Sequence, residues 1–203
     1  IKSSKRNRFK NLDLFENVQI TNGSVQTFDH FYLKHKNKTF RLTDGEFMYH
    51  RGALKNEYKF GSIEDLMKGD LHINDNVFII SVPFTGYGKI HEKFDNYMNF
   101  CETHNIPVLL DFCHAPVSKN IDIDFKKYTC IETVAFSISK PFYGAEHLRI
   151  GVRLQKTMED DGIDIINSDD IEMINLIGVG ITNELIQKFD FDFNWNTYEK
   201  IYN

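Results

Sequence analysis

The sequence has few cysteines and no long apolar run. Its 203 residues include three cysteines, Cys101, Cys113 and Cys130, and none of them belongs to a CxxC pair. This odd, unclustered set argues against a disulfide framework or a structural zinc site. It favours a reducing compartment, so we predict a cytoplasmic protein. The longest apolar stretches, such as Val77–Ile80, are only as long as a strand, and we predict no membrane contact.

An excess of basic residues is also missing. Lysine and arginine number 24, aspartate and glutamate 29, and the net charge is −5. Binding of nucleic acid needs a basic face, so we predict no nucleic acid partner. The histidines show no metal-ligand spacing such as HExxH, so we also predict no metal site. The 18 phenylalanines argue against disorder, because disordered chains are poor in aromatic residues.

The hydrophobic pattern alternates between strands and helices. Strands are predicted at residues 18–20, 39–42, 76–82, 107–112, 132–137 and 148–154. Helices are predicted from Ser24, as a possible cap, to residue 35, over 90–101, and over 169–188 with Ile174, Ile177, Ile181 and Leu185 inward. The connections are too long for hairpins, which indicates an α/β fold with a mostly parallel sheet. Residues 1–15 are predicted to be a solvated N-terminal stub, and residues 16–203 a single domain.

Ligands of open α/β sheets bind at the carboxyl ends of the strands. At these ends the sequence places Gly23-Ser24, which opens a helix, Asp111 after one buried strand, and Lys140 after another. A helix N-terminus suits a phosphate, and a carboxylate suits a protonated ring nitrogen. A lysine shielded from water is a nucleophilic amine that attacks an aldehyde. A cofactor that combines phosphate, basic ring nitrogen and aldehyde is pyridoxal 5′-phosphate.

Five short motifs resemble, in order, those of the fold-type I pyridoxal-phosphate enzymes, and most closely those of the class I/II aminotransferases. Thr21–Ser24 looks like the family's phosphate loop, and Pro83–Gly86 like its N-P-x-G turn. Asp111–His114 resembles D-x-A-Y, Ser137–Lys140 resembles S-x-S-K, and Leu148–Gly151 resembles G-x-R-x-G. The resemblance covers residues 15–190 and implies the family's large domain, a three-layer αβα sandwich.

The resemblance also implies roles for individual residues. Lys140 would form a Schiff base with the cofactor, and Asp111 would pair with its ring nitrogen. Arg149 and Ser137 would hold the phosphate together with Ser24. Phe47, with Tyr49 as its competitor, would stack on the ring. The complete cofactor-binding set implied is Gly23, Ser24, Val25, Phe47, Asp111, His114, Ser137, Lys140 and Arg149, with Lys140 and Asp111 catalytic.

Three departures from the motifs accompany this resemblance. Pro83 stands where the family has asparagine, and His114 stands where it has tyrosine, so His114 is expected to take over a hydrogen bond to the ring oxygen. Arg149 also follows Lys140 at a spacing one residue longer than usual.

The expected activity is that of an aminotransferase acting on an amino acid or a related amine. The alternatives are a lyase or decarboxylase of the same fold, or an inactive homologue that binds the cofactor. A nucleotide-binding domain ranks last, because both GxGxxG and GxxxxGK[ST] are missing. Because the chain begins with Ile1 and family members are longer, we expect a large domain from a longer protein, assembled as a homodimer.

Overall fold

A computed structural model describes residues 5–69, 72–142, 144–171, 173–190 and 192–202. The strands are β1 (Arg8–Lys10), β2 (Asn17–Thr21), β3 (Thr39–Leu42), β4 (Lys59–Ser62), β5 (Asn76–Ser81), β6 (Val108–Asp111), β7 (Asp122–Asp124), β8 (Ile131–Ser137) and β9 (Gly151–Gln155). The α-helices are α1 (Ser24–Lys34), α2 (Ile63–Met67), α3 (Phe94–Thr103), α4 (Gly162–Ile166), α5 (Leu176–Lys188) and α6 (Phe193–Tyr202).

A seven-stranded sheet with the order β2-β9-β8-β6-β5-β3-β4 lies at the centre of the described residues. The strands from β8 to β4 are parallel, and β9 runs antiparallel to both of its neighbours, β2 and β8. The mostly parallel α/β sheet predicted from the alternating pattern is therefore confirmed.

The central strands β5 and β6 are buried on both faces. Every residue of Asn76–Ser81 and of Val108–Asp111 is buried, as expected for apolar runs without alternation. Successive side chains of a strand point to opposite faces of the sheet. Accordingly Phe78 and Ile80 belong to one apolar cluster, whereas Val77 and Ile79 belong to another. The two clusters are the two halves of the core.

A helix covers each half of the core. Helix α1 buries Phe28, Phe31 and Tyr32 in the cluster that contains Val77. Helix α3 buries Phe94, Tyr97, Met98 and Cys101 in the other cluster. These side chains recur at the three- and four-residue spacing of one helix face. The result is the expected three-layer αβα sandwich.

Two predicted helix features are wrong. Ser24 does not cap α1: Gly23 is the N-cap, and α1 has no side-chain cap hydrogen bond. The predicted helix 169–188 begins only at Leu176, with Glu172 outside the described residues, and its apolar face is turned outward. Ile177 is 79% and Ile181 45% exposed, whereas Gly178 and Thr182 are buried.

Small residues face inward on α5 because the backbone approaches a loop closely. A Cβ on Gly178 would lie 2.8 Å from Ile150 Cδ1 and 2.6 Å from Asn175 Nδ2. A large side chain has no room on that face, so the isoleucines lie on the solvent side.

The described part of the N-terminal segment is not the predicted solvated end, although residues 1–4 lie outside the description. Strand β1 pairs with β7 in a separate two-stranded sheet. The Arg6 guanidinium makes an ion pair of 2.7 Å with Asp192 and donates to the carbonyl oxygens of Pro116 and Ser118. Buried charge-assisted hydrogen bonds of this kind fix the segment in place. The domain boundary at residue 15 stays a prediction.

The described residues contain neither a membrane-spanning helix nor a cluster of metal-binding side chains. No helix there is both long enough and apolar enough to cross a membrane. The same residues contain no group of three or more His, Cys, Asp or Glu side chains placed to hold a metal ion.

Candidate active site

The predicted site residues meet at one edge of the sheet. In the strand register Ser81 at the end of β5 pairs with Asp111 at the end of β6. Further along the edge, Gly151 at the start of β9 pairs with both Thr21 and Ser137. Because β9 is antiparallel, its first residue lies beside the last residues of its neighbours. This edge is where ligands of α/β folds bind.

The loop between β2 and α1 forms a cradle with the start of β9. Gly23 has a φ of 78°, a backbone conformation that glycine adopts without strain. A Cβ on Gly23 would lie 3.0 Å from Arg149 Nη2, so the guanidinium lies directly on this glycine. A Cβ on Gly151 would lie 2.7 Å from the backbone nitrogen of Ser24. Because Gly23 has no side chain, the Arg149 guanidinium can lie against it. Because Gly151 has none, the first turn of α1 can lie against the start of β9.

Neighbouring groups hold Arg149 in its place. Its φ of 53° is left-handed, which explains why β9 begins at Gly151 and not at the predicted residue 148. Asn175 Nδ2 donates to the carbonyl oxygen of Leu148 at 2.9 Å, and Asn175 Oδ1 accepts from the Gly178 N–H. The Ile150 N–H donates to Ser139 Oγ at 3.2 Å. Both residues that flank Arg149 are therefore hydrogen-bonded.

Asp111 is a buried carboxylate at the end of β6. It is 6% exposed, and its Oδ1 accepts from the N–H of Cys113 at 2.9 Å. His50 Nε2 lies 3.4 Å from Asp111 Oδ2. Burial raises the pKa of the Asp111 carboxyl, but the contacts with His50 and Cys113 outweigh it and hold the pKa below its usual value. The group is therefore an anion at neutral pH.

Four further groups surround Asp111. Burial raises the pKa of the Cys113 thiol and the Asp111 charge raises it further, while a hydrogen bond from Ser24 and the charge of Lys140 oppose this rise. Desolvation lowers the pKa of His114, opposed by Asp111 and assisted by Lys140. These mutual effects place Ser24, His114 and Lys140 in one electrostatic neighbourhood with Asp111.

Lys140 is more exposed than the sequence predicts. The strand residues before it, Val134 and Phe136, are fully buried as expected. Strand β8 ends at Ser137, however, and Lys140 lies in the following irregular segment, where its side chain is exposed. The predicted shielding from water is therefore wrong for the single chain.

The remaining predicted residues lie around the same edge. Ser137 is buried at the end of β8, and Val25 is half-buried in the first turn of α1. Phe47 is half-buried, and its ring centroid is 5.9 Å from that of His50. Its competitor Tyr49 donates to Asp29 Oδ1 at 2.5 Å and is thus engaged with α1. The Phe47 ring instead meets the His50 imidazole at an interplanar angle of 78°.

Sequence reasoning missed a second layer of polar residues behind the site. His50 lies in a short π-helical turn, Tyr49–Ala53. This turn falls between the predicted strands 39–42 and 76–82, at a point where the sequence pattern predicts no element. Glu46, which is fully buried, accepts hydrogen bonds from the Ser81 hydroxyl, the Ser81 N–H and the Phe47 N–H. No spacing rule connects these residues to Asp111, because the contacts join different strand ends. The one available signal was the pair of polar residues Glu46 and His50, which follow a predicted strand.

The strand order and the comparison with solved structures define the fold: it is that of the large domain of fold-type I pyridoxal-phosphate-dependent enzymes. No protein-family model and no curated protein matches the sequence.

Solved structures of such enzymes resemble the chain at low sequence identity. A PLP-bound C-S lyase from Staphylococcus hominis matches with a TM-score of 0.57 and 15% identity, over 76% of this chain and 44% of that one. An alanine aminotransferase from Pyrococcus furiosus matches with a TM-score of 0.55 and 13% identity, over 81% and 45%. An L-threonine-O-3-phosphate decarboxylase from Porphyromonas gingivalis matches with a TM-score of 0.52 and 15% identity, over 68% and 46%. The chain thus spans about half the length of these structures.

Proposed function

We propose that the chain binds pyridoxal 5′-phosphate and provides the cofactor site of an aminotransferase acting on an amino acid or a related amine. The observation that carries the proposal is the cradle of Gly23, Ser24, Arg149 and Gly151, built beside the buried anion Asp111. A phosphate and a protonated ring nitrogen are the two charged groups of this cofactor, and the two halves of the site match them in sign.

The phosphate end is held by α1 and Arg149. The first turn of α1 offers free N–H groups and the positive end of the helix dipole. Arg149 adds a planar fork of donors, and Ser24 and Ser137 add hydroxyls. A side chain on Gly151 would fill the space against the Ser24 nitrogen. The cradle therefore fits a small tetrahedral anion.

The ring end is held by Asp111. A buried carboxylate with a lowered pKa would accept a hydrogen bond from a protonated ring nitrogen, and its negative charge would keep that nitrogen cationic. His114, whose pKa is lowered, is neutral at pH 7 and presents a ring N–H to an oxygen of the cofactor.

When bound, pyridoxal phosphate supplies an aldehyde that condenses with amines and a cationic ring that withdraws electrons. Lys140 Nζ would provide the amine that binds this aldehyde, and as a free amine it would take up and return a proton. Asp111 stays ionised throughout. A neighbouring surface must cover Lys140 to exclude water, and a homodimer, as the resemblance implies, would provide one.

A lyase or decarboxylase of the same fold is the second candidate. It is favoured by the solved structures that resemble the chain, which include a C-S lyase and a decarboxylase. The same Lys140, Asp111 and Arg149 would serve all three reactions. Product analysis with amino-acid substrates separates them, since only an aminotransferase needs an oxo-acid acceptor.

Reduction with borohydride tests the proposal. Purified full-length protein mixed with pyridoxal phosphate should absorb visible light, and reduction should attach the cofactor to Lys140, as read by peptide mapping. Lys140→Ala should abolish this labelling. Lys68→Ala is the matched control, because Lys68 is an exposed lysine that pairs with the exposed Asp65. An adduct on another lysine, or none in a folded preparation, contradicts the proposal.

A further inference from the structure

Three buried side chains form a line from helix α1 to the end of β6. Tyr32 is 1%, His50 0% and Asp111 6% exposed. The Tyr32 hydroxyl oxygen lies 3.0 Å from His50 Nδ1, and His50 Nε2 lies 3.4 Å from Asp111 Oδ2. The line therefore connects the back of the core to the carboxylate at the site.

The chemistry of the two ends decides where the protons are. An ionised carboxylate only accepts hydrogen bonds, so His50 Nε2 must carry its proton to interact favourably with Asp111. Neutral imidazole has a single N–H, which leaves Nδ1 as an acceptor. The Tyr32 hydroxyl must then donate to Nδ1. Burial raises the pKa of Tyr32, so this hydroxyl keeps its proton.

Aromatic rings and a buried carboxylate enclose the His50 imidazole. The ring centroid of Phe28 is 4.5 Å and that of Phe47 5.9 Å from the imidazole. The nearby carboxylate of Glu46 is engaged by Ser81 and by the Phe47 N–H. Among the described residues Nε2 makes no hydrogen bond of good geometry, and the carboxylate oxygen that faces it is Asp111 Oδ2 at 3.4 Å. The tautomer of His50 thus depends on Tyr32 and Asp111.

We propose that Tyr32 is a positioning residue, whose donation to Nδ1 fixes His50 in the tautomer that presents Nε2–H to Asp111. His50 then holds the Asp111 carboxylate in one orientation at the site. The proposal deepens the proposed function, because it gives Tyr32 and His50 a role toward the ring nitrogen that Asp111 is to bind.

Histidine NMR tests the first half without any cofactor. Long-range proton–nitrogen spectra of the cofactor-free protein should show His50 with its proton on Nε2. In Tyr32→Phe the ratio of the two tautomers should change about tenfold, roughly the ratio that one hydrogen bond sustains. Tyr58→Phe is the matched control: its ring stacks on Tyr32 with centroids 5.6 Å apart, in the same aromatic cluster. An unchanged tautomer ratio in folded Tyr32→Phe overturns the proposal. An Nδ1–H form in the wild type overturns it even if the variant does not fold.

An absorbance titration tests the second half. In protein loaded with pyridoxal phosphate, Tyr32→Phe should shift the pH midpoint of the visible band, and Tyr58→Phe should not. An unshifted midpoint in Tyr32→Phe rejects the role toward the site. If the wild type binds no pyridoxal phosphate, the proposed function fails, while the NMR result still decides whether Tyr32 sets the His50 tautomer.

Discussion

Gly151 shows how a single missing side chain determines the site. A Cβ at this position would lie 2.6 Å from both the Gly23 carbonyl carbon and Thr21 Oγ1. Two of the three nearest atoms belong to backbone and do not rotate away. The loop that opens α1 must therefore move if this residue carries any side chain.

We predict that Gly151→Ala destabilises the protein by about 1–3 kcal/mol, the usual cost of overpacking. The same change should weaken binding of pyridoxal phosphate, because it displaces the Ser24 nitrogen. Denaturant unfolding and a binding titration measure the two effects. Gly180→Ala is the control, because a Cβ on this helical glycine meets no atom within 4 Å. It should be neutral or slightly stabilising. Equal effects of the two variants would contradict the crowding at Gly151.

Asn175 combines two roles that substitution can separate. Its Oδ1 caps α5 by accepting from Gly178, and its Nδ2 donates to Leu148 beside Arg149. Asn175→Ala should cost about 0.5–2 kcal/mol of stability, the usual range for an N-cap. Asn175→Asp retains the cap and loses only the donor, so it should weaken cofactor binding while changing stability less. If Asn175→Asp binds as tightly as the wild type, the hydrogen bond to Leu148 does not position Arg149.

At the scale of elements, α5 explains a failure of sequence reasoning. A stripe of isoleucines predicts a buried face, but the close approach to Ile150 selects Gly178 and Thr182 for the inside. Local periodicity carries no information about that distance. The strands were predictable because continuous apolar runs of strand length, such as those of β5 and β6, are buried whatever they pack against. His50 and Tyr32 were missed as a pair because their contact joins two elements with no shared pattern.

The exposed face of α5 gives a direct stability prediction. Ile177→Ala should change the free energy of unfolding by no more than about 0.5 kcal/mol, because the side chain is mostly in water. Ile163→Ala is the contrast: Ile163 in α4 is fully buried, and its truncation should cost about 2–5 kcal/mol. Thermal or denaturant unfolding of the single chain decides. A large loss of stability in Ile177→Ala would contradict this exposed position and support the predicted inward face.

Strand β9 is tied to α4 by a buried ion pair. Arg153 is 1% exposed, and its Nη1 and Nη2 donate to the two oxygens of Asp161 at 2.5 and 3.0 Å. Burial raises the pKa of Asp161, but the Arg153 contacts and the backbone N–H of Asp164 outweigh it and bring the pKa down to about 2.

This ion pair predicts how stability depends on pH. The folded pKa lies below the unfolded one, so the unfolded chain binds the proton first as the pH falls. The contribution of Asp161 is complete above about pH 4, and about 2 kcal/mol is lost as the pH falls toward 2. Unfolding measured across this range should show the loss in the wild type and in Asp160→Asn, but not in Asp161→Asn. The same slope in all three proteins would mean that another carboxyl group causes it.

At the scale of the whole molecule, the chain spans about half the length of the solved structures it resembles. It contains the sheet and the residues that would hold the cofactor. Its Lys140 is exposed, and so are large apolar side chains of the C-terminal helices such as Ile177 and Ile201. A site of this kind works only when water is excluded, which is why a second copy matters for the proposed function.

We predict that the full-length protein sediments as a homodimer. Adding pyridoxal phosphate should not dissociate it, because the proposed site needs the second copy to cover Lys140. Sedimentation equilibrium over a range of concentrations measures the mass. A monomer with full activity at every concentration would contradict both the assembly and its role at the site.

The reversed direction of β9 also has a consequence for synthesis. In the described part of the chain, β2 lies at the edge of the sheet and pairs with β9 alone. The ribosome makes β2 and Gly23 early, yet their partners Gly151 and Arg149 emerge only after β8. Until β9 is made, β2 lacks its partner strand, and the anion cradle does not form. Binding of a phosphate by the growing chain would therefore show that β2 has paired with β9.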